Sequence, residues 1–296
     1  MPSCLAVTTS RRIRPFAFIL LMSGLLSACG GSVDFSCDPL GRVTPICGVQ
    51  MPEDLEPLPD DSGLLIAEFG DMAGGRAGAL TWYRPGAGTG FVRLTESILA
   101  DPGGANWGDA DCPLPDQLSP HGIHLSRRGE ALQLLVINHS SREHVLFYEV
   151  QQGTNLAEPP VLAWRGCVLF PESASLNDVA ALPDGGFAAT NMFKRENLML
   201  AQVKSALGLN NGHVWRWQPG VGLTVLANSE ARFPNGIEVA PDGRSVWVNN
   251  YIDGELVQQD IDTGEILNVI EVPNIDNSAW LDDGRLLLAS HLSPLR

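Results

Sequence analysis

Short apolar stretches, each bounded by Gly, Pro, Asn or Asp, follow one another along most of this chain. This pattern predicts β-strands joined by tight turns. One unit is clearest at residues 176–185, where Asn177 and Asp178 open an apolar strand that ends in a Pro-Asp-Gly turn. The same spacing of eight residues separates a polar side chain from the following turn in five places: Glu53, His121, Asn177, Asn235 and Asp276. We therefore expect five equivalent strands, each beginning with a polar group.

The distances between these five positions range from 41 to 68 residues, which leaves room for about four strands in each interval. Repeated four-stranded units of this size predict an all-β fold, a β-propeller, over residues 51–296. A sandwich or a barrel would supply strands without the recurrent unit. The uneven intervals and the missing signature argue against a WD40 array. The pattern predicts five recognisable blades.

One segment departs from the strand pattern. Residues 194–209 contain no Pro and no internal Gly, and their apolar residues recur at helical spacing. We expect one helix there, inserted into the third blade.

The N-terminal residues 1–28 have the layout of an export signal, with arginines before an apolar run from Phe16 to Leu26. The sequence Leu-Ser-Ala-Cys that ends at Cys29 resembles the lipobox of bacterial lipoproteins, which predicts lipidation of Cys29. The alternative is an ordinary cleaved signal followed by a chance cysteine. Residues 29–50, rich in Gly, Pro and Ser, then form a tether and an entry segment. The expected location is the periplasm or the cell surface, with a lipid anchor as the only contact with the membrane.

The formal net charge of −15 argues against nucleic acid as a partner, because a phosphate backbone requires a basic surface. Four cysteines follow the lipobox, at 37, 47, 112 and 167. In an exported protein they predict two disulfides, with three connectivities open. Their spacing lacks the close pairs of a zinc site.

The first strands of propeller blades run beside a central channel, so residues at one shared position become neighbours. Five side chains would then present oxygens to one centre: Glu53, Asn177, Asn235, Asp276 and Asn277. Carboxylate and amide oxygens favour a hard cation such as calcium over zinc or copper. The alternative is that these residues only satisfy backbone groups at strand ends.

Asp54 and Asp178 directly follow two of these residues, which allows a second, more buried cation site. Spacing alone supports equally well a pair of solvated or capping acids.

His121 and His139 lie on the two arms of one predicted hairpin, near the channel. One imidazole could orient the other as the general base for a water. The alternative is that each is an ordinary packed histidine. The chain contains no nucleophile-elbow sequence and no phosphate loop, which leaves serine hydrolysis and nucleotide chemistry without support.

Eight short sequences occur along the chain: Pro-Glu-Asp-Leu at 52–55, Pro-His-Gly-Ile at 120–123, Val-Ile-Asn-His at 136–139, Leu-Asn-Asp-Val at 176–179, Asn-Gly-Ile at 235–237, Pro-Asp-Gly at 241–243, Asp-Asn at 276–277 and Ser-His at 290–291. In this order, from Glu53 to His291, they resemble the paraoxonase (arylesterase/lactonase) family, within the six-bladed calcium propellers that include gluconolactonase, SMP-30 and strictosidine synthase.

The resemblance implies a catalytic calcium on the five oxygen-bearing residues listed above. It also implies a structural calcium on Asp54, Asp178 and the backbone carbonyl of Ile123. His121 and His139 would be the catalytic pair, and His291 would lie near the pocket. The implied activity is calcium-dependent hydrolysis of a small lactone or aryl ester, with water activated by the histidine pair.

The chain departs from the resemblance in one respect, since it ends inside the fifth strand group and a sixth blade is not recognisable. We therefore expect a six-bladed fold whose last blade is missing or incomplete in this chain. Two other functions remain open. One is a non-catalytic propeller that binds a ligand or a protein, and the other is an isomerase or synthase on the same scaffold.

Overall fold

The computed structural model describes residues 37–39, 41–42, 44–70, 76–86, 90–94, 104–151, 158–195 and 198–291. The predicted signal segment 1–28 and the predicted lipidation site Cys29 lie outside these residues. The chain divides after Cys47 into two units. In the first, Cys37 and Cys47 form a disulfide. The second, Gly48–Ser293, contains the sheets and the candidate site.

Among the described residues, the second unit has four antiparallel sheets of four strands and one pair of strands. The first sheet consists of β1 (Pro52–Pro57), β2 (Leu64–Glu68), β3 (Ala79–Tyr83) and β4 (Phe91–Arg93). The second consists of β5 (Pro120–Arg128), β6 (Ala131–His139), β7 (Glu143–Gln151) and β8 (Val161–Leu169). The third consists of β9 (Leu176–Ala181), β10 (Phe187–Asn191), β11 (His213–Gln218) and β12 (Gly222–Val225). The fourth consists of β13 (Pro234–Val239), β14 (Ser245–Asn250), β15 (Glu255–Asp260) and β16 (Ile266–Glu271), and the last pair consists of β17 (Ile275–Trp280) and β18 (Leu286–Ser290).

The strand order in every sheet follows the chain, and the first strands of successive sheets contact one another. Each first strand begins one residue before a predicted polar position. This is the blade arrangement of a β-propeller, so the predicted propeller with four-stranded blades is confirmed. The described residues show four complete blades and two strands of a fifth, and the prediction of six blades extends beyond them.

Each first strand shifts its pairing register near its start, close to the polar residue. Such a bulge re-aims the side chains that follow it, because neighbouring residues of a regular strand alternate between faces. Glycine occupies two of these shifts. A Cβ on Gly122 would lie 2.5 Å from the Cα of Asp178, and one on Gly236 would lie 2.6 Å from the carbonyl oxygen of Asp276. Because glycine has no side chain, adjacent first strands can approach each other closely at these two positions.

Apolar side chains fill the space between successive blades. The second and third blades share a cluster of almost fully buried aromatic residues, Phe147, Phe187 and Trp217. Their ring centroids lie 5.5 to 6.0 Å apart, within the range of favourable aromatic pairs. Close packing of this kind fixes the angle between the blades and so directs their first strands towards one channel.

Among the described residues, the α-helix α1 spans Leu198–Ala206 and falls within the predicted helical segment. A 3-10 turn covers Pro59–Asp61. Cys112 and Cys167 form the second disulfide, which resolves the connectivity that the sequence left open. Two disulfides are typical of proteins that fold outside the cytoplasm. In the described part of the chain, no helix is long and apolar enough to cross a membrane.

Candidate active site

The two predicted histidines lie next to each other at the open end of the hairpin formed by β5 and β6. The Nδ1 of His121 lies 2.8 Å from the Nε2 of His139. The hairpin brings them together because Pro120 pairs with Asn138, each one residue before a histidine. The ring of Phe69 packs against both imidazoles, with centroids at 5.1 and 5.5 Å. One face of the pair is thus covered by an apolar ring.

A third group, which sequence reasoning missed, holds the inner histidine. The Nδ1 of His139 lies 2.6 Å from the Oε2 of Glu143, and both side chains are completely buried. Arg195 donates to the other carboxylate oxygen of Glu143 at 3.0 Å. The signal was present in the sequence, since His139 and Glu143 flank a three-residue turn and face each other across β6 and β7. Burial lowers the pKa of His139, and the Glu143 carboxylate opposes that effect.

The outer nitrogen of His121 points towards two of the predicted metal ligands. Its Nε2 lies 3.3 Å from the Oε2 of Glu53 and 3.4 Å from the Nδ2 of Asn177. Asn177 is buried, and its amide nitrogen also approaches the sulfur of Met192 at 3.4 Å. The structure therefore brings Glu53, His121 and Asn177 together.

The remaining predicted ligands form a second group beside the first. The Nδ2 of Asn235 donates to the Oδ1 of Asp276 at 2.9 Å. The Nδ2 of Asn277 donates to the backbone carbonyl of Glu53 at 3.2 Å, which joins β17 to β1. His291, predicted to lie near the pocket, has its Nε2 3.2 Å from the Oδ2 of Asp276.

Tyr251 is another neighbour that the sequence did not single out. Its hydroxyl lies 3.1 Å from the Nδ1 of His291. Tyr251 and His291 each directly follow the second strand of a blade, as do two other residues around the site, Phe69 and Met192. His139 is itself the last residue of β6, so the position varies by one residue among the blades. A search for residues at this second recurrent position would have found Tyr251.

Asp54 and Asp178, predicted to bind a more buried cation, each connect two blades. The Oδ2 of Asp54 accepts the backbone N–H of Ile123 at 2.8 Å, and the Oδ2 of Asp178 accepts that of Ile237 at the same distance. Burial raises the pKa of both carboxyl groups, and their backbone hydrogen bonds oppose that effect only in part. Asp54 contacts the N–H of Ile123, whereas the predicted calcium ligand was the carbonyl oxygen of that residue.

A cavity of about 370 Å³, which we call the inner channel, lies next to Asp54 and Asp178. Glu56, His124 and Glu238 also line it. Burial is the main cause that raises the pKa of Glu238 to about 8 and lowers the pKa of His124 to about 4. The described lining of the inner channel is therefore rich in carboxyl groups, and its histidine, His124, is neutral at neutral pH.

The donor set fits a hard cation. Within the described residues, neither Asp54 nor Asp178 has a Lys or Arg partner, and Glu53 and Asp276 pair only with histidines. No group of three or more His, Cys, Asp or Glu side chains in that part of the chain is arranged to hold a metal. The five predicted ligands of the catalytic calcium, which we call the outer group, are two acids, Glu53 and Asp276, and three asparagines. Oxygen ligands of this mixed kind suit calcium better than a transition metal.

Several solved structures are similar to this chain. A calcium-binding protein, regucalcin, from Agrobacterium tumefaciens is 13% identical, with 83% of this chain and 69% of that chain covered and a TM-score of 0.48. A luciferin-regenerating enzyme is 12% identical over 83% of this chain and 71% of its own, also with a TM-score of 0.48. Hydrazine synthase from Kuenenia stuttgartiensis is 15% identical over 81% and 71%, with a TM-score of 0.50. At these identities the likeness concerns the fold alone.

No sequence among curated proteins matches the chain significantly. A family model does match it, over residues 124–287, and its description is SMP-30/Gluconolactonase/LRE-like region. The matched range covers more than half of the chain and includes His139, Asn177, Asn235, Asp276 and Asn277. The wider group named by the sequence resemblance is confirmed, while the narrower paraoxonase family is not distinguished by this match. The chain belongs to the SMP-30/gluconolactonase/LRE-like family.

Proposed function

We propose that this protein is a calcium-dependent hydrolase of lactones or aryl esters, of the paraoxonase-like kind. One observation carries the proposal. The hydrogen-bonded pair of His121 and His139 places a ring nitrogen of His121 within 3.4 Å of both Glu53 and Asn177. A potential base and a potential cation site thus share one position at the channel. Membership of a family whose description includes a gluconolactonase supports hydrolysis of a lactone as the reaction class.

The chain's own residues would perform the proton transfers. The Nε2 of His121 takes a proton from water as the water oxygen attacks the ester or lactone carbonyl. The bond from carbon to the leaving oxygen then breaks, and His121 returns the proton to that oxygen. His139, whose Nε2 lies 2.8 Å from the Nδ1 of His121, would stabilise the positive charge that His121 carries in between by accepting its Nδ1–H. Phe69 covers the pair and limits the access of bulk water.

Five residues would hold the catalytic calcium: Glu53, Asn177, Asn235, Asp276 and Asn277. When bound, calcium would polarise the substrate carbonyl and stabilise the developing oxyanion. Asp54, Asp178 and the carbonyl of Ile123 would hold a second, structural calcium. The carboxyl groups of Asp54 and Asp178, which have no Lys or Arg partner among the described residues, support the structural calcium, because a cation would offset their desolvation.

The test is hydrolysis of aryl acetates and of lactones by the purified protein, with and without a calcium chelator. We expect activity that the chelator abolishes and added calcium restores. His121→Gln should lower kcat by about 10²-fold or more and keep calcium affinity, whereas Asp276→Ala should lose both. His213→Gln is a matched control, since His213 lies on β11, where its ring meets that of Trp215 edge-on.

Activity that survives complete removal of calcium would overturn the proposed mechanism. If calcium binds with no hydrolysis of any ester or lactone, the protein is a ligand-binding propeller. We also propose that Cys29 carries the lipid anchor of an exported lipoprotein. Labelling of the full chain with a fatty-acid analogue, and its loss in Cys29→Ser, tests that anchor.

A further inference from the structure

Glu143 is a buried acid with an unusual position in the second blade. It is completely buried, it lies between His139 and Arg195, and it does not reach the substrate side of the site. A buried carboxylate is costly unless it is paired and hydrogen-bonded. Both of its oxygens are engaged, Oε2 with His139 at 2.6 Å and Oε1 with Arg195 at 3.0 Å. Its position therefore serves the histidine pair rather than general packing.

Arg195 fixes Glu143 from the segment that precedes α1. Besides the contact with Glu143, its guanidinium donates to the backbone carbonyl of Ser140 at 2.7 Å, and its own N–H donates to the carbonyl of Ser173 at 3.0 Å. Ser140 belongs to the turn between His139 and Glu143. The arginine thus holds both the acid and the turn that aims it at the histidine.

The order of these contacts dictates where the protons lie. A carboxylate paired with arginine can only accept, so the Nδ1 of His139 must donate to Glu143. The Nε2 of a neutral His139 is then an acceptor, and it takes the Nδ1–H of His121 across 2.8 Å. The Nε2 of His121, which faces the side chains of Glu53 and Asn177, is then the ring nitrogen of His121 that carries a lone pair.

We propose that Glu143, held by Arg195, is a positioning residue that fixes the tautomers of both histidines and so leaves Nε2 of His121 as the proton acceptor. The catalytic part of this inference rests on the proposed hydrolase function. The tautomers themselves do not.

Glu143→Gln gives the sharpest variant, because it keeps the size of the side chain. The amide oxygen of Gln accepts from Arg195, which turns its NH2 group towards His139. The Nδ1 of His139 then becomes an acceptor, its Nε2 carries the proton, and the tautomer of His121 reverses in turn. The Nε2 of His121 would be protonated and unable to accept a proton from water.

Long-range ¹H–¹⁵N NMR of histidine-labelled protein at mildly alkaline pH reports the protonated nitrogen of each ring. The chain has six histidines, and His139→Gln and His121→Gln variants assign the two signals. We expect Nδ1–H for His139 in the wild type and Nε2–H in Glu143→Gln, with and without calcium. Glu149→Gln is the matched control. Glu149 lies on the same strand as Glu143, but its carboxylate pairs with Arg165, at 2.6 Å, and not with a histidine.

Kinetics give the second measurement. We expect Glu143→Gln to lower kcat by about 10²- to 10⁴-fold with little change in KM, and Glu143→Asp to restore part of the rate. A wild-type His139 that carries its proton on Nε2 would overturn the inference even if the variant failed to fold. So would a folded Glu143→Gln with wild-type tautomers. Wild-type protein with the expected tautomers and no hydrolysis would refute the proposed function alone.

Discussion

Four carboxyl groups line the inner channel, at Asp54, Glu56, Asp178 and Glu238. Burial raises the pKa of all four, and repulsion between neighbouring acids adds to the effect. The first three each accept at least one backbone N–H, which lowers their pKa in part. For Glu238 the two causes both act in the same upward direction. Without a cation, folding therefore shifts the pKa of each of these carboxyl groups upward.

The difference in pKa between the folded and the unfolded state makes the stability of the calcium-free protein depend on pH. The pKa of Glu238 is raised from 4.5 to about 8 in the folded state. Between these values the folded protein holds a proton that the unfolded chain has lost, so stability falls as pH rises through this window. We expect scanning calorimetry in chelator to show a falling Tm from pH 5 to pH 8. Glu238→Gln should flatten that fall by a few degrees, since about 1 kcal/mol corresponds to roughly 2–4 °C in a chain of this size.

The exposed Glu265→Gln serves as the control and should keep the wild-type slope. The explanation fails if Glu238→Gln shows the same slope as the wild type, because the carboxyl group would then not carry its proton into the folded state.

The first strand of each blade is the element that builds the site. Its polar start was readable from the eight-residue spacing, which predicted all five strand beginnings. Its register shift was not, because a bulge depends on contacts with the neighbouring blade rather than on local composition. At Gly122 those contacts are the backbone of Asn177 and Asp178 in the next blade. Blade-to-blade distance at this point is therefore set by a glycine.

Gly122→Ala tests this dependence. The new Cβ would meet the Cα of Asp178 at 2.5 Å and the carbonyl oxygen of Asn177 at 2.7 Å, and backbone atoms cannot turn aside as a flexible side chain can. We expect a loss of about 1–3 kcal/mol of stability in urea titrations. Calcium affinity should fall as well, since both adjacent residues are candidate ligands.

Gly129→Asn is the matched control on the same hairpin. Gly129 has a φ of +62°, nothing lies within 4 Å of its Cβ position, and asparagine tolerates this conformation. Its cost should stay within about 0.5 kcal/mol, as for most exposed substitutions. Equal costs for the two substitutions would show that the close approach at Gly122 does not constrain the blades.

The candidate site divides into a part that the sequence predicted and a part that it did not. His121, His139 and the oxygen-bearing residues were accessible because they share one position in a repeat. Glu143 was not singled out, because it lies outside the eight-residue repeat, and its pairing with His139 follows only once the short turn between β6 and β7 is recognised. Tyr251 belongs to a second repeat whose spacing varies by a residue between blades.

In the whole molecule, polar contacts tie the first strands into one assembly. Asp54 joins β1 to β5, Asp178 joins β9 to β13, and Asn277 joins β17 to β1. The propeller blades otherwise meet through the apolar clusters between them. Acidic groups thus occupy the place where all first strands converge, and their repulsion opposes closure unless a cation neutralises it.

Calcium should therefore stabilise the molecule as a whole. A ligand that binds only the folded state at about 100 times its Kd contributes roughly 2.7 kcal/mol, which corresponds to a Tm rise of about 5–10 °C in a chain of this size. We expect scanning calorimetry to show such a rise when calcium is added to chelator-treated protein, and a smaller one with magnesium, which accepts fewer ligand arrangements.

Asp178→Ala should start from a lower Tm, because the N–H groups of Val179 and Ile237 lose their acceptor, and should gain much less from calcium. Asp283→Ala, in an exposed turn, should retain the full rise. If Asp178→Ala keeps the wild-type response, calcium binds away from the inner channel and the residual rise belongs to the outer group around Glu53 and Asp276.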